Sequence, residues 1–153
     1  MANTKIVATN RKAYHDYHVD ETYEARIALT GTEIKSVRQG MVSLRDSFAR
    51  VENGEVFLYD MHVSPYDAGN RYNHEPRRTR KLLLHKAEIR RLATKTQEKG
   101  FTLIPLKAYL KGGRAKVEIA LAKGKRLFDK REDIKKRDVM RQVDRAIKDR
   151  GQY

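Results

Sequence analysis

The sequence has no cysteine and no tryptophan among its 153 residues, and only three prolines. The absence of cysteine excludes a disulfide framework and a thiolate metal site. There is also no apolar run long enough to cross a membrane, and no hydrophobic segment of signal-peptide length near the N-terminus. We therefore expect a cytoplasmic protein. A chain of this length buries roughly two-thirds of its extended surface, so it needs no cross-links.

Negative charge is also scarce. Twenty Asp and Glu residues stand against 34 Lys and Arg residues, which leaves a formal net charge of +14. Each cation placed on a phosphate releases a condensed counterion, so this imbalance favours a polyanionic partner such as RNA. Charge for solubility alone rarely needs so one-sided a balance.

The first third of the chain shows two clear periodic segments. Residues 1–14 are polar and predicted to be loose, apart from a short strand near Ile6. Alternating apolar residues predict a strand over Tyr17–Thr30. A short helix follows, with Thr32 as its predicted N-cap and Gly40 closing it.

The middle of the chain is predicted to form a hairpin followed by a strand and a helix. Strands are predicted over 43–52 and 56–63, because Asn53-Gly54 between them is a strong hairpin signal. The apolar run 82–84 predicts a buried strand, and the spacing of apolar residues over 86–99 predicts a helix.

Two further strands are predicted over 101–110 and 115–122, joined through Gly112-Gly113. About six short antiparallel strands with inserted helices are typical of a closed barrel, and we expect the oligonucleotide-binding (OB) type. This RNA-binding domain is placed at residues 1–122.

Residues 123–153 form a basic C-terminal tail. Asp129 and Glu132 stand at the spacing of a helix-capping box. Beyond them, Val139, Met140, Val143 and Ile147 lie on one side of a helical wheel, nearly opposite four cations. This apolar stripe is too thin to fold a helix alone, so the tail is predicted to be disordered when free and helical when bound.

The sequence carries no motif of an enzyme, and no catalytic residue or cofactor is expected. His15, Asp16 and His18 could suggest a metal site, but neighbours in an extended segment point to alternating faces, so no metal is predicted. The stretch 71–81 mixes arginines with tyrosine, a combination that tracks an RNA backbone and stacks on bases. A solvated basic loop is the alternative.

Several ordered blocks of the sequence resemble one family. The chain is similar to the SmpB family (small protein B, the SsrA-binding proteins) in these blocks: 10–13, 15–17, 24–25, 31–40, 46–48, 65–66, 69–70, 73–74, 78–85, 123–125 and 129–131. The resemblance covers almost the whole chain.

The resemblance implies an OB-type barrel with three helices and a tail. Members bind the tRNA-like domain of transfer-messenger RNA (tmRNA) and bring it to stalled ribosomes for trans-translation, while the tail probes the empty mRNA channel. The implied partners are tmRNA, the small ribosomal subunit with its rRNA and, through tmRNA, elongation factor Tu and alanyl-tRNA synthetase. The protein is expected to be a monomer.

The resemblance also implies two sets of site residues. The candidates facing tmRNA are Asn10, Arg11, Glu24, Lys35, Arg38, Leu83, His85, Lys116 and Lys123. The candidates for the ribosomal decoding centre are Phe128, Asp129, Lys130, Arg131, Lys135, Lys136, Arg137, Arg141 and Arg145. Glu24 would accept hydrogen bonds from base amino groups, and a salt bridge to a neighbouring arginine is the alternative.

Three residues depart from the family pattern. Arg26 stands where the family usually has glycine, Phe128 where relatives have histidine or tyrosine, and His85 at a variable polar position. Two other classes remain open from the residues alone: a general single-strand RNA-binding protein, and a peripheral membrane protein using the tail as a basic amphipathic helix.

Overall fold

The protein is described by a computed structural model over residues 4–65, 75–98 and 100–125. These residues form nine strands and three helices. In chain order they are β1 (Thr4–Thr9), α1 (Arg11–Asp16), β2 (Tyr17–Ile27), α2 (Gly31–Arg38), β3 (Val42–Ser43), β4 (Phe48–Glu52), β5 (Glu55–Tyr59), β6 (His62–Val63), β7 (Arg80–Leu83), α3 (Lys86–Thr96), β8 (Phe101–Lys111) and β9 (Arg114–Gly124).

Six strands form a ring of antiparallel hydrogen-bonded neighbours in the order β8-β4-β5-β7-β2-β9, and β9 returns to β8. The ring closes because β9 is paired along both edges, with β2 from Tyr17 to Arg26 and with β8 from Phe101 to Lys111. β1 adds to the outside of β8, and β3 pairs with β6 in a separate two-stranded sheet. The predicted number of ring strands is confirmed.

The core lies inside the ring. Val117, Ile119 and Leu121 are fully buried there, as their alternation with Lys116 and Glu118 predicts. Ala120 and Ala122 face the other way and are also fully buried, because α1 covers that side with Ala13. β9 is thus buried on both faces in its second half, and it runs to Gly124, beyond the predicted strand end at 122.

The N-terminal predictions were partly wrong. Residues 11–16 are helical rather than loose, since the Asn10 side chain accepts a hydrogen bond from the backbone N–H of Ala13 and starts α1. The cap of α2 is Thr30 rather than Thr32. Thr30 accepts from the N–H of Glu33 at 3.3 Å while Glu33 accepts from the N–H of Thr30 at 2.9 Å. This is a reciprocal capping box.

The predicted hairpin is confirmed, but its strands are shorter than expected. Asn53 and Gly54 adopt φ angles of 51° and 75°, as a tight two-residue turn requires. Asp46 and Asp60, each with φ of 62°, interrupt the two predicted strands. The outer pieces therefore leave the ring and pair with each other as β3 and β6.

The run of three leucines is not uniformly buried. Leu82 is 1% exposed and packs in the core, whereas Leu83 is 43% exposed. The alternation of a strand explains the difference, because successive side chains point to opposite faces. A fully buried strand was therefore the wrong prediction for Leu83.

A buried ion pair joins α2 to β7. The Arg80 guanidinium and the Glu33 carboxylate are both fully buried, with Nη2 and Oε2 2.5 Å apart. Arg80 also donates to the carbonyl oxygens of Met61, Pro76 and Arg78. Burial works to raise the pKa of Glu33, but hydrogen bonds from Arg78, Thr30 and Arg80 outweigh it and lower that pKa.

Replacing Arg80 with Met is expected to destabilise the protein by about 3–5 kcal/mol, because Glu33 would remain buried without its fully buried cationic partner. Urea unfolding followed by circular dichroism measures this loss. Arg77 is exposed and close in sequence, so Arg77→Ala is the matched control and should stay within about 0.5 kcal/mol of wild type. Equal unfolding midpoints for the Arg80 variant and wild type would contradict the role given to the pair.

Candidate nucleic-acid interface

Four of the residues predicted to face RNA line one open depression. Glu24 from β2, Leu83 from β7, His85 before α3 and Lys116 from β9 surround a volume of about 460 Å³, together with Arg26, Leu84 and Glu88. We call this surface the Glu24 depression. The structure thus brings together residues that are up to 92 positions apart in the chain.

Strand register explains this meeting. Arg26 of β2 lies opposite Leu83 of β7 on one side and opposite Lys116 of β9 on the other. Paired residues of adjacent strands point to the same face. The outward positions of three neighbouring strands therefore present an arginine, a leucine and a lysine side by side.

Glu24 is held by three donors. Its carboxylate accepts from Lys116 Nζ at 2.7 Å, from the Tyr109 hydroxyl at 2.6 Å and from Lys111 Nζ at 3.3 Å. The hydrogen bond from Lys116, followed by that from Tyr109, lowers the pKa of Glu24 from 4.5 to about 2. The alternative, in which Glu24 forms a salt bridge, agrees with the structure, but the partners are Lys111 and Lys116 rather than an arginine.

Tyr109 and Lys111 were missed by the sequence reasoning. The predicted β8–β9 hairpin could have identified Tyr109 as a neighbour of Lys116, because the two residues lie directly opposite each other. Burial, followed by the hydrogen bond to Glu24, raises the pKa of Tyr109. The hydroxyl therefore stays a donor to Glu24 at neutral pH.

Arg38 lies in a second depression that adjoins the first. This surface has a volume of about 470 Å³, and Arg26 and Leu83 form part of both linings. We call it the Arg38 depression. Lys35, one turn earlier on α2, is also exposed, as the predicted outer face of that helix requires.

Arg11 and Lys123 belong to the other end of the sheet. Lys123 lies opposite His18 and places its Nζ 4.5 Å from the centre of the Phe101 ring. Seven residues separate it from Lys116, which corresponds to about 23 Å along a strand. Arg11 is exposed on α1, the helix that leads into the paired Tyr17. The predicted set therefore divides between two ends of the ring.

Asn10 differs from its prediction as an RNA-facing residue. Its side chain is 7% exposed, donates to the carbonyl oxygens of Leu44 and Pro105, and accepts from the N–H of Ala13. These contacts lock the start of α1 against β8. The amide is used inside the protein, so Asn10 positions Arg11 rather than facing RNA itself.

The basic stretch 71–81 also differs from its prediction where it is described. Arg80 is buried and Arg78 donates to Glu33, so neither guanidinium extends freely toward a ligand. Lys81 pairs with Glu55 at 3.1 Å. Residues 66–74, including the predicted stacking tyrosines, lie outside the described residues.

The described part of the chain contains neither a metal-ligand cluster nor a membrane-spanning helix. His15 Nδ1 lies 2.9 Å from an Asp16 oxygen, and over the described ranges no cluster of three or more His, Asp or Glu side chains could hold a metal ion. No helix among those residues is both long and apolar enough to span a bilayer.

The tail candidates lie outside the described residues: Phe128, Asp129, Lys130, Arg131, Lys135, Lys136, Arg137, Arg141 and Arg145.

The profile of the family described as SmpB protein matches residues 7–149. The chain belongs to the SmpB family. Its resemblance over the ordered blocks is thereby confirmed.

Relatives of this SmpB-family chain are named SsrA-binding protein. That of Carboxydothermus hydrogenoformans is 64% identical over 146 residues, covering 95% of this chain and 98% of its own. That of Caldicellulosiruptor saccharolyticus is 66% identical over 145 residues, covering 95% and 92%. That of Halothermothrix orenii is 60% identical over 151 residues, covering 99% and 97%.

A solved structure is also similar to this SmpB-family chain. It is described as "tmRNA-SmpB: a journey to the center of the bacterial ribosome". The two chains are 55% identical with a TM-score of 0.66, over 76% of this chain and 82% of the other.

The bonds to Glu24 predict a pH dependence of stability in this SmpB-family chain. Because the folded pKa is lowered from 4.5 to about 2, the contribution of Glu24 is complete above pH 4.5 and is lost as the pH falls toward 2. The difference in melting temperature between wild type and Glu24→Gln should therefore shrink across that range. Tyr109→Phe removes one donor and should give an intermediate curve. A difference that does not change with pH would contradict the assignment.

Proposed function

We propose that this chain binds the tRNA-like domain of tmRNA and delivers it to stalled ribosomes for trans-translation. The observation that carries the proposal is the Glu24 depression, where Glu24, Leu83, His85 and Lys116 meet on one face of the ring. These are residues that the family resemblance assigns to tmRNA contact. Relatives named SsrA-binding protein and the tmRNA-SmpB structure support the same partner.

The chemistry of this surface suits a folded RNA. Lysine and arginine supply attraction to phosphates, and the exposed Leu83 offers an apolar contact for a ribose or base. Glu24 keeps Lys111 and Lys116 in place through its hydrogen bonds, so it acts mainly by positioning cations. His85 can donate or accept at the rim.

We also propose that the six-strand ring is an OB-type barrel, since the antiparallel pairing returns from β9 to β8 around a single core. The protein is then a binding factor rather than an enzyme, and peptide-bond chemistry stays with the ribosome. A ribosomal partner places the protein in the cytoplasm, and a monomer is sufficient for this task. Elongation factor Tu and alanyl-tRNA synthetase would be met through tmRNA.

For the tail we propose a ribosomal role. β9 keeps Lys123 and Gly124 in the sheet, so the part of the predicted tail beyond Lys125 would enter the empty mRNA channel and fold there as a helix, with Asp129 as its cap. Lys130 and Arg131 would contact small-subunit rRNA near the decoding centre. The one-sided charge of the chain supports this part of the proposal, because an RNA-lined channel attracts cations.

A competition experiment tests the proposed partner. Labelled tmRNA bound to the protein should be displaced by unlabelled tmRNA, but not by an unrelated tRNA or poly-U at equal concentration. Displacement by all three would leave only a general RNA-binding protein.

Within the same assay, Leu83→Ala should weaken tmRNA binding by about 1 kcal/mol, a roughly fivefold loss, because the exposed leucine no longer meets the RNA. Met41 is also an exposed apolar residue but lines neither depression, so Met41→Ala is the matched control and should bind as wild type.

Removal of the tail separates its role from that of the ring. A chain ending at Phe128 should keep its affinity for tmRNA and lose the tagging of incomplete peptides in a reconstituted translation system. Full-length protein with Lys130→Ala and Arg131→Ala should show the same pattern in milder form. A large loss of tmRNA affinity on truncation would overturn this division of tasks.

A further inference from the structure

The Arg38 depression differs in charge from the Glu24 depression. Three arginines line it, Arg26 from β2, Arg38 from α2 and Arg114 from the start of β9, and its described lining residues include no carboxylate. The Glu24 depression has instead two carboxylates, Glu24 and Glu88, beside its cations. The attraction for a polyanion is therefore concentrated in the Arg38 depression.

The three guanidinium groups are available for a ligand. All three arginines are exposed, and over the described ranges none of their side chains has an ion pair or hydrogen bond. The cations of the neighbouring depression differ in this respect, because Lys116 is committed to Glu24 at 2.7 Å. Like charges held close together repel one another, so a bound anion would stabilise this arrangement.

The local fold explains why the three meet. Arg26 lies one position before the end of β2, and Arg38 closes α2, the helix that follows it. Arg114 follows the β8–β9 turn, where Gly112 and Gly113 have positive φ angles of 59° and 77°. Leu29, Ile34 and Leu83 line the same depression beside the arginines. Apolar neighbours of this kind lower the local polarity and strengthen charge interactions.

We propose that the Arg38 depression is a phosphate-binding site for the RNA that occupies the Glu24 depression, with Arg26 and Arg114 as contacts additional to the predicted Arg38. This inference rests on the proposed function. Arginine suits the task, since its planar guanidinium can pair with a phosphate through two hydrogen bonds.

Continuity of the two surfaces favours one RNA across both. Arg26 and Leu83 belong to both linings, so the two depressions adjoin each other. Arg26 lies where the two depressions adjoin, between Lys116 on one side and Arg38 and Arg114 on the other. A backbone that leaves the Glu24 depression on this side meets Arg26 first.

The experiment measures tmRNA affinity of the full-length protein as a function of KCl concentration. Each phosphate contact contributes about 0.7–0.9 to the slope of log K against log salt. The double variant Arg26→Gln/Arg114→Gln should therefore make this negative slope shallower by about 1.4–1.8 and lower the affinity by about twentyfold near 0.15 M salt. Arg26→Lys/Arg114→Lys keeps both charges and should recover most of the slope.

Arg50→Gln is the matched control. Arg50 is exposed on β4 and lines neither depression, so its removal should leave the slope near that of wild type. An unchanged slope in the double variant, or an equal loss in the Arg50 control, would overturn the site. Failure of the wild-type protein to prefer tmRNA over an unrelated tRNA would instead overturn the proposed function, so the two failures are distinguishable.

Discussion

The ion pair between Glu33 and Arg80 is the contact on which the arrangement of this molecule depends. It fixes the N-terminus of α2 to the start of β7, and Arg80 also donates to the carbonyl oxygens of Pro76 and Arg78 on the chain that leads into that strand. Arg38 ends the helix and Leu83 ends the strand. The buried Glu33–Arg80 pair therefore helps to set the relative position of Arg38 and Leu83, two residues of the candidate interface.

The interface combines committed and uncommitted cations. Lys116 and Lys111 are attached to Glu24, whereas the three arginines of the neighbouring depression have no acidic neighbour in its lining. A lysine paired with Glu24 is held in position, but the carboxylate offsets its charge and weakens its attraction for RNA. An arginine without an acidic neighbour attracts RNA more strongly, but its side chain is less fixed. In the proposed function, the first group selects the shape of the RNA and the second supplies most of the attraction.

Local patterns predicted local structure well. The β8–β9 hairpin and the Asn53-Gly54 turn followed from alternation and turn residues, and both are present. Arg80 could not be predicted as a core residue, because arginine is seldom buried and its partner Glu33 lies 47 positions away. The burial of Asn10 was likewise not predicted, since its partner Pro105 is 95 positions away. Such long-range contacts leave no periodic trace in the sequence.

The double pairing of β9 has a further consequence. The strand ends at Gly124 opposite Tyr17, and Lys125 next to it donates to the carbonyl oxygen of Tyr14. The last 28 residues therefore follow an anchored strand end at Gly124, about 26 Å along the sheet from Lys116. Eight residues of strand thus set the distance between an RNA bound at Lys116 and the point where the rest of the chain begins.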